Sequence, residues 1–226
     1  MSKRVRKATP DDTQNKPFFI RNLYAKNPSQ EHYLRTLKES TITFAIGPAG
    51  TAKTFIAAYV ALELLLAGEA QKIILTRPMV ANEDIGYLPG DLNEKIHPYL
   101  LPLVDSIESH IGTTKTRDLF DSWQLEAAPL AYMRGRTFHK SVVILDEAQN
   151  ATREQMKLFL TRIGAGTKLF INGDVTQSDL PIPANNGLSY AVEKLRGVSE
   201  EIAVVEFYPK DIVRHPLIEV ISSRLG

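Results

Sequence analysis

A short stretch that contains two glycines carries the clearest chemical signal in the sequence. It reads Gly47-Pro-Ala-Gly-Thr-Ala-Lys-Thr54 and comes close to the phosphate-binding pattern G-x-x-x-x-G-K-[ST]. In that pattern, backbone N–H groups point at phosphate oxygens, the lysine places its charge at the β and γ phosphates, and the last hydroxyl binds Mg²⁺. The residues predicted to bind a nucleotide here are Pro48, Ala49, Gly50, Thr51, Ala52, Lys53 and Thr54.

One position of this loop departs from the pattern, because Ala52 stands where a glycine is expected. Alanine is tolerated there if the backbone is already helical, whereas a positive φ would cost roughly 1–2 kcal/mol. Since Gly50 can supply the unusual backbone angles, we interpret the substitution as compatible with nucleotide binding.

Two adjacent acids, Asp146 and Glu147, directly follow the apolar run of residues 141–145. Neighbouring carboxylates are costly unless a cation neutralises them. We predict that Asp146 holds Mg²⁺ together with Thr54, directly or through water. Glu147 is predicted to orient and deprotonate the water that attacks the terminal phosphate.

Polar side chains follow two further apolar runs. Gln177 ends the sequence Gly-Asp-Val-Thr-Gln, and its amide can hydrogen-bond both phosphate and water. It is therefore a candidate sensor of the γ-phosphate. Arg77 follows the run of residues 72–76, where it would either bind phosphate or hold a loop carbonyl; the sequence favours neither role.

The elements that must position these residues alternate between short apolar strands and helices. Strands are predicted at 41–46, 72–76, 141–145, 167–172 and 202–207, and helices at 53–67, 91–101, 103–111, 152–163, 188–195 and 216–225. Pro102 is expected to kink or break one helical stretch, and Thr152 and Gln155 are expected to form a capping box. The alternation predicts an α/β fold, a three-layer, mostly parallel sheet with helices on both faces. Ligands bind at the carboxyl ends of such strands, where the residues above lie.

The composition of the chain is typical of a soluble globular protein and excludes several kinds of site. The chain has 226 residues, of which 43% are hydrophobic and 23% charged, as in soluble domains with a sizeable core. It has no cysteine, which excludes disulfides and thiolate metal sites. The net charge of +1 gives no whole-surface attraction to nucleic acid. Without a secretory segment or an apolar run long enough to span a bilayer, we expect a cytoplasmic protein with no membrane contact.

The amino terminus differs in charge from the remaining chain. Residues 1–7 contain four basic residues and no acid, and the other residues include 23 basic and 26 acidic side chains. We predict a basic, flexible segment at 1–26 and a single domain at 27–226. The segment is either a solvated terminus or an arm that contacts a phosphate backbone.

Together, these motifs resemble the PhoH family of P-loop ATPases, relatives of the ATPase core of superfamily-one helicases. The matching stretches are residues 46–54, 76–78, 87–92, 128–137, 143–150, 173–177 and 211–216. The resemblance covers roughly residues 27–225, with Ala52 as its one plain departure. It implies a P-loop NTPase (RecA-like) core that uses ATP and Mg²⁺.

The resemblance also implies roles that the spacing alone does not assign. Gln30, just before the first helix, would read the adenine edge, and Arg214 would act as an arginine finger or γ-phosphate sensor. Arg134 and Arg136 would bind nucleic acid, contact a neighbour's nucleotide, or only solvate their loop.

Superfamily-one helicases close their ATP site with a second similar domain, and this chain has room for one. An arginine that acts in trans must then come from another subunit, and head-to-tail contacts that close on themselves form rings. We expect a homo-oligomeric ring, a hexamer as the resemblance suggests, that couples ATP hydrolysis to single-stranded nucleic acid, RNA in preference to DNA. The alternative is a nucleotide-gated binding module with very slow turnover. A kinase is disfavoured, because Glu147 and Gln177 prepare a water rather than an acceptor hydroxyl.

Overall fold

The computed structural model describes residues 18–79, 92–182 and 185–213, with Leu217 and Arg224; of residues 92–98 it describes the backbone alone. At the centre of this part of the chain is a six-stranded sheet in which all neighbouring strands run parallel. The predicted α/β class is confirmed. The strands are β1 (Ile42–Ile46), β2 (Lys72–Thr76), β3 (Leu125–Ala127), β4 (Ser141–Leu145), β5 (Lys168–Gly173) and β6 (Ile202–Glu206).

The strand order decides which loops become neighbours. It is β3-β2-β4-β5-β1-β6, so β5 lies between β1 and β4. Ile46 at the end of β1 is level with Gly173 at the end of β5, and Leu145 of β4 is level with Ile171. Because parallel strands end at the same edge of a sheet, the loops after β1, β4 and β5 meet there.

Helices cover both faces of the sheet and complete the three predicted layers. They are α1 (Pro28–Glu39), α2 (Lys53–Leu66), α3 (Leu92–Ile111), α4 (Thr113–Asp121), α5 (Arg153–Leu160) and α6 (Gly187–Leu195). The core between the sheet and α1, α2 and α3 contains Leu37 and Ile56, and the core beneath α5 and α6 contains Phe44 and Phe159. Within the described ranges, every helix is too short or too polar to cross a membrane.

Helix α3 continues through Pro102, where the sequence predicts either a kink or a break, so of these two the break is wrong. A proline inside a helix removes one backbone hydrogen bond and crowds the carbonyl four residues earlier. Leu100, Leu103 and Ile107 of the same helix are nevertheless buried. Burial of this apolar face stabilises the helix more than the proline destabilises it.

Helix α5 begins as predicted and ends earlier than predicted. Thr152 Oγ1 accepts a hydrogen bond from Gln155 N at 3.2 Å, and Thr152 N donates to Gln155 Oε1 at 2.9 Å, which confirms the capping box. The helix ends at Leu160 instead of Ile163, because Ile163 forms a parallel bridge with Phe138 and must leave the helix to reach it.

Helix α4 and strand β3 are absent from the sequence-based prediction. Helix α4 ends in a Schellman motif, in which Trp123 N donates to Phe120 O at 3.0 Å and Gln124 N donates to Leu119 O at 2.9 Å. Trp123 has φ +61 and is 76% exposed, in a position that usually holds glycine. Since Gln124 O accepts a hydrogen bond from Ile73 N, the second residue of β2, Trp123 lies at the amino-terminal edge of the sheet.

Some predictions fall outside the described residues. These are residues 1–17 of the basic segment and, apart from two residues, the helix at 216–225. From residue 18 onward the segment contacts the domain, where Phe18, Ile20 and Leu23 pack against the first core. The boundary at residue 26 stays a prediction.

Candidate active site

A pocket of about 320 Å³ lies at the carboxyl edge of the sheet, where the loops after β1, β4 and β5 meet. The predicted site residues that line it are Ala49, Gly50, Thr51, Ala52, Lys53, Thr54, Asp146, Glu147 and Gln177. Lining residues that the sequence analysis did not single out are Phe55, Ser106, Gly173 and Asp174. The topology therefore gathers three separate loops around one cavity, while the roles of the individual residues stay predictions.

The Lys53 ammonium group lies inside the curve of its own loop. Lys53 Nζ donates to Gly47 O at 2.7 Å, to Pro48 O at 2.8 Å and to Thr51 Oγ1 at 3.2 Å. Burial lowers the pKa of Lys53, and nearby carboxylates, that of Asp146 foremost, oppose this decrease. A phosphate that enters the pocket has to compete with these loop oxygens for the ammonium group.

Ala52 adopts the conformation that the sequence analysis identifies as costly. Its φ is +67 and its ψ is +24, in the left-handed region, so Gly50 does not supply the unusual angles alone. The cost is roughly 1–2 kcal/mol. Ala52 is also the N-cap of α2, and its methyl group cannot accept hydrogen bonds from the first turn. Those N–H groups suit an anion as their acceptor.

The two predicted metal ligands contact each other. Thr54 Oγ1 donates to Asp146 Oδ1 at 2.7 Å. Asp146 keeps some solvent contact through the pocket, but burial raises the pKa of its carboxyl group to about 6. The Thr54 hydrogen bond opposes this increase, and the charge of Glu147 adds to it. A nearby cation would stabilise the ionised form of Asp146.

The donor set fits a particular kind of metal ion. In the described part of the chain, no group of three His, Asp or Glu side chains is arranged to hold a metal. An ion at Thr54 and Asp146 would therefore need water and phosphate oxygens as further ligands. Mg²⁺ is bound in this way at phosphate-transfer sites, through one or two carboxylates and the substrate phosphates.

Glu147 is held from two sides in a strained backbone conformation. Its φ is +50 and its ψ is +39, and its Oε2 accepts a hydrogen bond from Gln149 Nε2. Arg77 Nη2 lies 3.9 Å from Glu147 Oε1, with the guanidinium 4.7 Å from the ring centroid of Tyr99. Arg77 Nη1 also lies 3.5 Å from Tyr99 O, a backbone carbonyl of helix α3. The sequence had offered either phosphate or a loop carbonyl as the contact of Arg77. Strain of this type is often found at functional positions.

The segments after β4 and β5 are tied to each other, and we call residues 147–150 and 174–179 the joined loops. Asp174 N donates to Gln149 Oε1 at 3.0 Å, and Ser178 Oγ donates to Gln149 O at 3.0 Å. Asn150 Nδ2 donates to Asp179 Oδ2 at 3.2 Å, and Asp179 N donates to Asn150 Oδ1 at 2.9 Å. The carboxylate predicted to activate water and the predicted γ-phosphate sensor therefore belong to one hydrogen-bonded unit.

Gly173 permits this close approach at the end of β5. A Cβ atom at position 173 would lie 2.7 Å from Gln149 Oε1 and 2.6 Å from Leu188 Cδ2. Glycine is needed here because of space, since its backbone angle is ordinary. In the loop that follows, Gln177 is exposed at the pocket and its backbone N donates to Asp174 O at 3.1 Å.

Two buried polar atoms near the end of β5 have no hydrogen-bond partner among the described residues: Oδ2 of Asp174, which lines the pocket, and Nδ2 of Asn172, which does not. The other amide atom of Asn172, Oδ1, accepts from Tyr33 OH at 2.6 Å, and burial raises the pKa of Tyr33 well above its ordinary value. Buried polar atoms are nearly always paired in proteins. The unpaired Asp174 Oδ2 is therefore consistent with a pocket that takes a polar ligand.

Gln30 lies beneath the glycine loop rather than in the pocket. It is inside α1, whose N-cap is Asn27, and not before the helix as predicted. Gln30 Nε2 donates to Thr51 O at 3.2 Å, and its Oε1 accepts from Lys26 N at 2.8 Å. With 3% of its surface exposed, Gln30 supports the loop. Its contact with adenine stays a prediction.

The predicted arginines differ in what the structure shows. Arg136 forms a two-point ion pair with Glu126, with Nη2 2.9 Å from Oε2, and Arg134 is exposed. Burial of Glu126 raises its pKa, but hydrogen bonds from Arg136 and Lys72 lower it by more. Arg136 therefore forms an ion pair within the domain, a structural role that the sequence did not suggest. Arg214 lies outside the described residues.

Comparison with known proteins places the chain among close relatives. The PhoH-like protein of Bacillus subtilis (strain 168) is 48% identical over 199 residues, covering 88% of this chain and 62% of the relative. Protein PhoH of Escherichia coli (strain K12) is 44% identical over 198 residues, covering 86% and 56%. The chain thus spans about three-fifths of the length of these curated relatives.

The chain is also similar to a solved structure and to a protein-family model. The crystal structure of Pif1 helicase from Candida albicans aligns with a TM-score of 0.42 and 12% identity, over 89% of this chain and 44% of that chain. The family model described as PhoH-like protein matches residues 22–225, a range that includes every loop of the pocket. The chain belongs to the PhoH-like protein family, a family of P-loop nucleotide-binding proteins.

Proposed function

We propose that this protein is an Mg²⁺-dependent ATPase. The observation that carries the proposal is the convergence of Lys53, the Thr54–Asp146 pair and Glu147 around one pocket at the carboxyl edge of the sheet. Lys53 exchanges its loop oxygens for the β and γ phosphates, and Thr54 and Asp146 hold Mg²⁺. When bound, Mg²⁺ neutralises part of the phosphate charge.

The remaining residues of the pocket act on water. Gln149 and Arg77 hold the Glu147 carboxylate, and Glu147 Oε1, the oxygen that Gln149 does not occupy, takes the proton of the attacking water. Gln177 hydrogen-bonds the γ-phosphate from the joined loops. Loss of that phosphate then changes the contacts of a unit that also contains Glu147.

The test is steady-state phosphate release from Mg²⁺·ATP by the wild type, Lys53→Ala and Glu147→Gln. Both variants are expected to lose at least about 100-fold in turnover. Glu147→Gln keeps nucleotide binding, whereas Lys53→Ala weakens it. Glu154→Gln, at an exposed acid of α5, is the matched control and retains turnover. A wild type no faster than Glu147→Gln would contradict hydrolysis.

Coupling to single-stranded nucleic acid, with RNA preferred to DNA, is the second part of the proposal, within a homo-oligomeric ring that we propose to be a hexamer. The joined loops support coupling, because a change at Gln177 reaches Glu147 through Gln149. In this ring, Arg214 is proposed to act as an arginine finger at the ATP site of a neighbouring subunit.

Two measurements test these steps separately. Turnover with and without single-stranded RNA or DNA, together with filter binding at low salt, tests coupling; no binding with or without ATP removes it. Sedimentation of the protein during turnover tests the ring. A monomer with full ATPase activity removes the ring and the role of Arg214 in trans.

A nucleotide-gated binding module is the second candidate function. Two observations favour it, the left-handed Ala52 and the three loop contacts of Lys53. Both make the loop slow to accept phosphates. Nucleotide binding with no measurable phosphate release in the wild type would support this function over an ATPase.

A further inference from the structure

Asp174 brings a third carboxylate to the pocket, and half of that group has no partner within the described ranges. Asp174 Oδ1 accepts from Thr176 N at 3.0 Å and from Thr176 Oγ1 at 2.7 Å. Asp174 Oδ2 is buried and unpaired there, and the residue is 6% exposed. Oδ1 therefore stabilises the turn, whereas Oδ2 has no group to offset the cost of its burial.

The position of Asp174 relates it to the predicted metal ligands. Asp146 and Asp174 follow the neighbouring strands β4 and β5, and both line the pocket that contains Thr54. Leu145 of β4 is level with Ile171 of β5, so Asp146 lies one residue and Asp174 three residues beyond the same level of the sheet, at its carboxyl edge.

The pocket has more carboxylates than cationic groups, which favours the binding of a cation. Among the described residues that line it are three carboxylates, those of Asp146, Glu147 and Asp174, and one ammonium group, that of Lys53. Within the described residues, the one ion pair that these carboxylates form is between Glu147 and Arg77. A triphosphate adds negative charge, so the Asp174 carboxylate needs a donor that arrives with the nucleotide. Mg²⁺ keeps several water ligands at such sites, and bound water donates hydrogen bonds.

We propose that Asp174 Oδ2 accepts a hydrogen bond from a water molecule bound to Mg²⁺ and so positions the ion beside Thr54 and Asp146. This inference rests on the proposed function, because the ion binds with the nucleotide. Asp174 is a positioning residue in this scheme, since it acts through water. Outer-shell groups of this kind change metal affinity by about 10–100-fold.

Two variants separate the metal role from the turn. Asp174→Asn keeps Oδ1 as the acceptor for Thr176 but replaces Oδ2 with an N–H donor, which cannot accept from water. Thr176→Val removes one hydrogen bond of the turn and keeps the carboxylate. Mn²⁺ is titrated into each full-length protein with a non-hydrolysable ATP analogue, and free Mn²⁺ is followed by electron paramagnetic resonance.

The Mn²⁺ dissociation constant is expected to rise about 10–100-fold in Asp174→Asn and less than about twofold in Thr176→Val. An unchanged constant in Asp174→Asn overturns the inference, and so does an equal rise in both variants, because the turn would then set the affinity. If Asp174→Asn does not fold, Asp174→Ser replaces it with the same expected rise. Failure of the proposed function looks different: if hydrolysis fails, the wild type releases no phosphate but still binds Mn²⁺ with the analogue, and if nucleotide binding fails, the wild type binds neither.

Discussion

The two sides of the pocket are held in different ways. In the glycine loop the polar groups largely contact one another, with Lys53 on two loop carbonyls and Thr51 Oγ1 donating to Pro48 O at 3.0 Å. The joined loops contact each other across two strands, and Asn150 and Asp179 exchange two hydrogen bonds. The glycine loop can therefore exchange its own contacts for those of a ligand, whereas the joined loops must move together.

Gly47→Ala is expected to have the largest effect, because it separates the glycine loop from the chain after β6. Gly47 has φ +142, and a Cβ atom there would overlap Phe207 O. We expect a loss of roughly 3 kcal/mol or more in the free energy of unfolding, measured with urea. Gly68→Ala is the control, with φ +75 and no described atom within 4 Å of the added methyl, and loses about 1–2 kcal/mol. Equal losses would show that backbone angle alone sets the cost.

Asp146 follows β4 and accepts a hydrogen bond from Thr54 of the glycine loop, so it links the two sides of the pocket. The effect of Asp146→Asn on stability depends on pH. Burial raises the pKa of Asp146 from 3.8 to about 6, so ionisation destabilises the folded state. This penalty is absent below about pH 4 and complete above about pH 6, because only the folded state resists ionisation between these values.

In metal-free buffer, Asp146→Asn is therefore expected to gain about 1–3 kcal/mol of unfolding free energy at pH 8 and nothing near pH 4. Thermal melts at both pH values measure the difference. Mg²⁺ with nucleotide should stabilise the wild type and not the variant. A gain of the same size at both pH values would mean that the charge of Asp146 is not its cause.

Asn150→Ala weakens the link between the joined loops at a residue that does not line the pocket, and the bonds through Gln149 remain. It removes both hydrogen bonds with Asp179, and we expect a loss of roughly 1–2 kcal/mol in urea unfolding. Asn22→Ala, at an exposed asparagine, should change stability by less than about 0.5 kcal/mol. In the ATPase assay Asn150→Ala should lower kcat more than it raises KM. A variant as stable and as active as the wild type would show that the loops are not tied through Asn150.

Ala52→Gly is expected to give the smallest effect and the opposite sign. Relief of the left-handed alanine contributes roughly 1–2 kcal/mol, and the greater freedom of glycine in the unfolded chain subtracts about 0.4–1 kcal/mol. The net gain of about 0.5–1 kcal/mol is measured by urea unfolding. Ala49→Gly, in the same loop at a residue that is not left-handed, should lose stability instead. A loss in both variants would contradict the cost assigned to Ala52.

The sequence predicted the elements whose signals are local. Strand β4 was predicted with both of its bounds, because its run is apolar throughout, and α5 was predicted to begin after Thr152 because the capping box lies within four residues. The loops of the pocket were also predicted, since each motif directly follows a strand and the parallel sheet brings the strand ends to one edge.

What the sequence did not predict depends on contacts between distant residues. Gln149 is unremarkable in its own segment, and its link to Asp174 appears only when β4 and β5 are adjacent. The burial that leaves Asp174 Oδ2 unpaired has the same origin. Pro102 was expected to kink or break a helix, and the continuous helix was not predicted because local preference was considered without the packing around it. The left-handed angles of Ala52 were not predicted, since Gly50 was expected to supply the unusual backbone angles, and the shape of the loop depends on all of its residues together.

Trp123 decides which optical signals this protein can give. It is the one tryptophan of the chain, its ring is already largely in water, and it lies at the opposite edge of the sheet from the pocket. Intrinsic tryptophan fluorescence should therefore change little on unfolding and still less when a nucleotide binds. Phe55→Trp, at a lining residue directly after Thr54, would place an emitter at the pocket, and with Trp123→Phe the emission would come from that site alone.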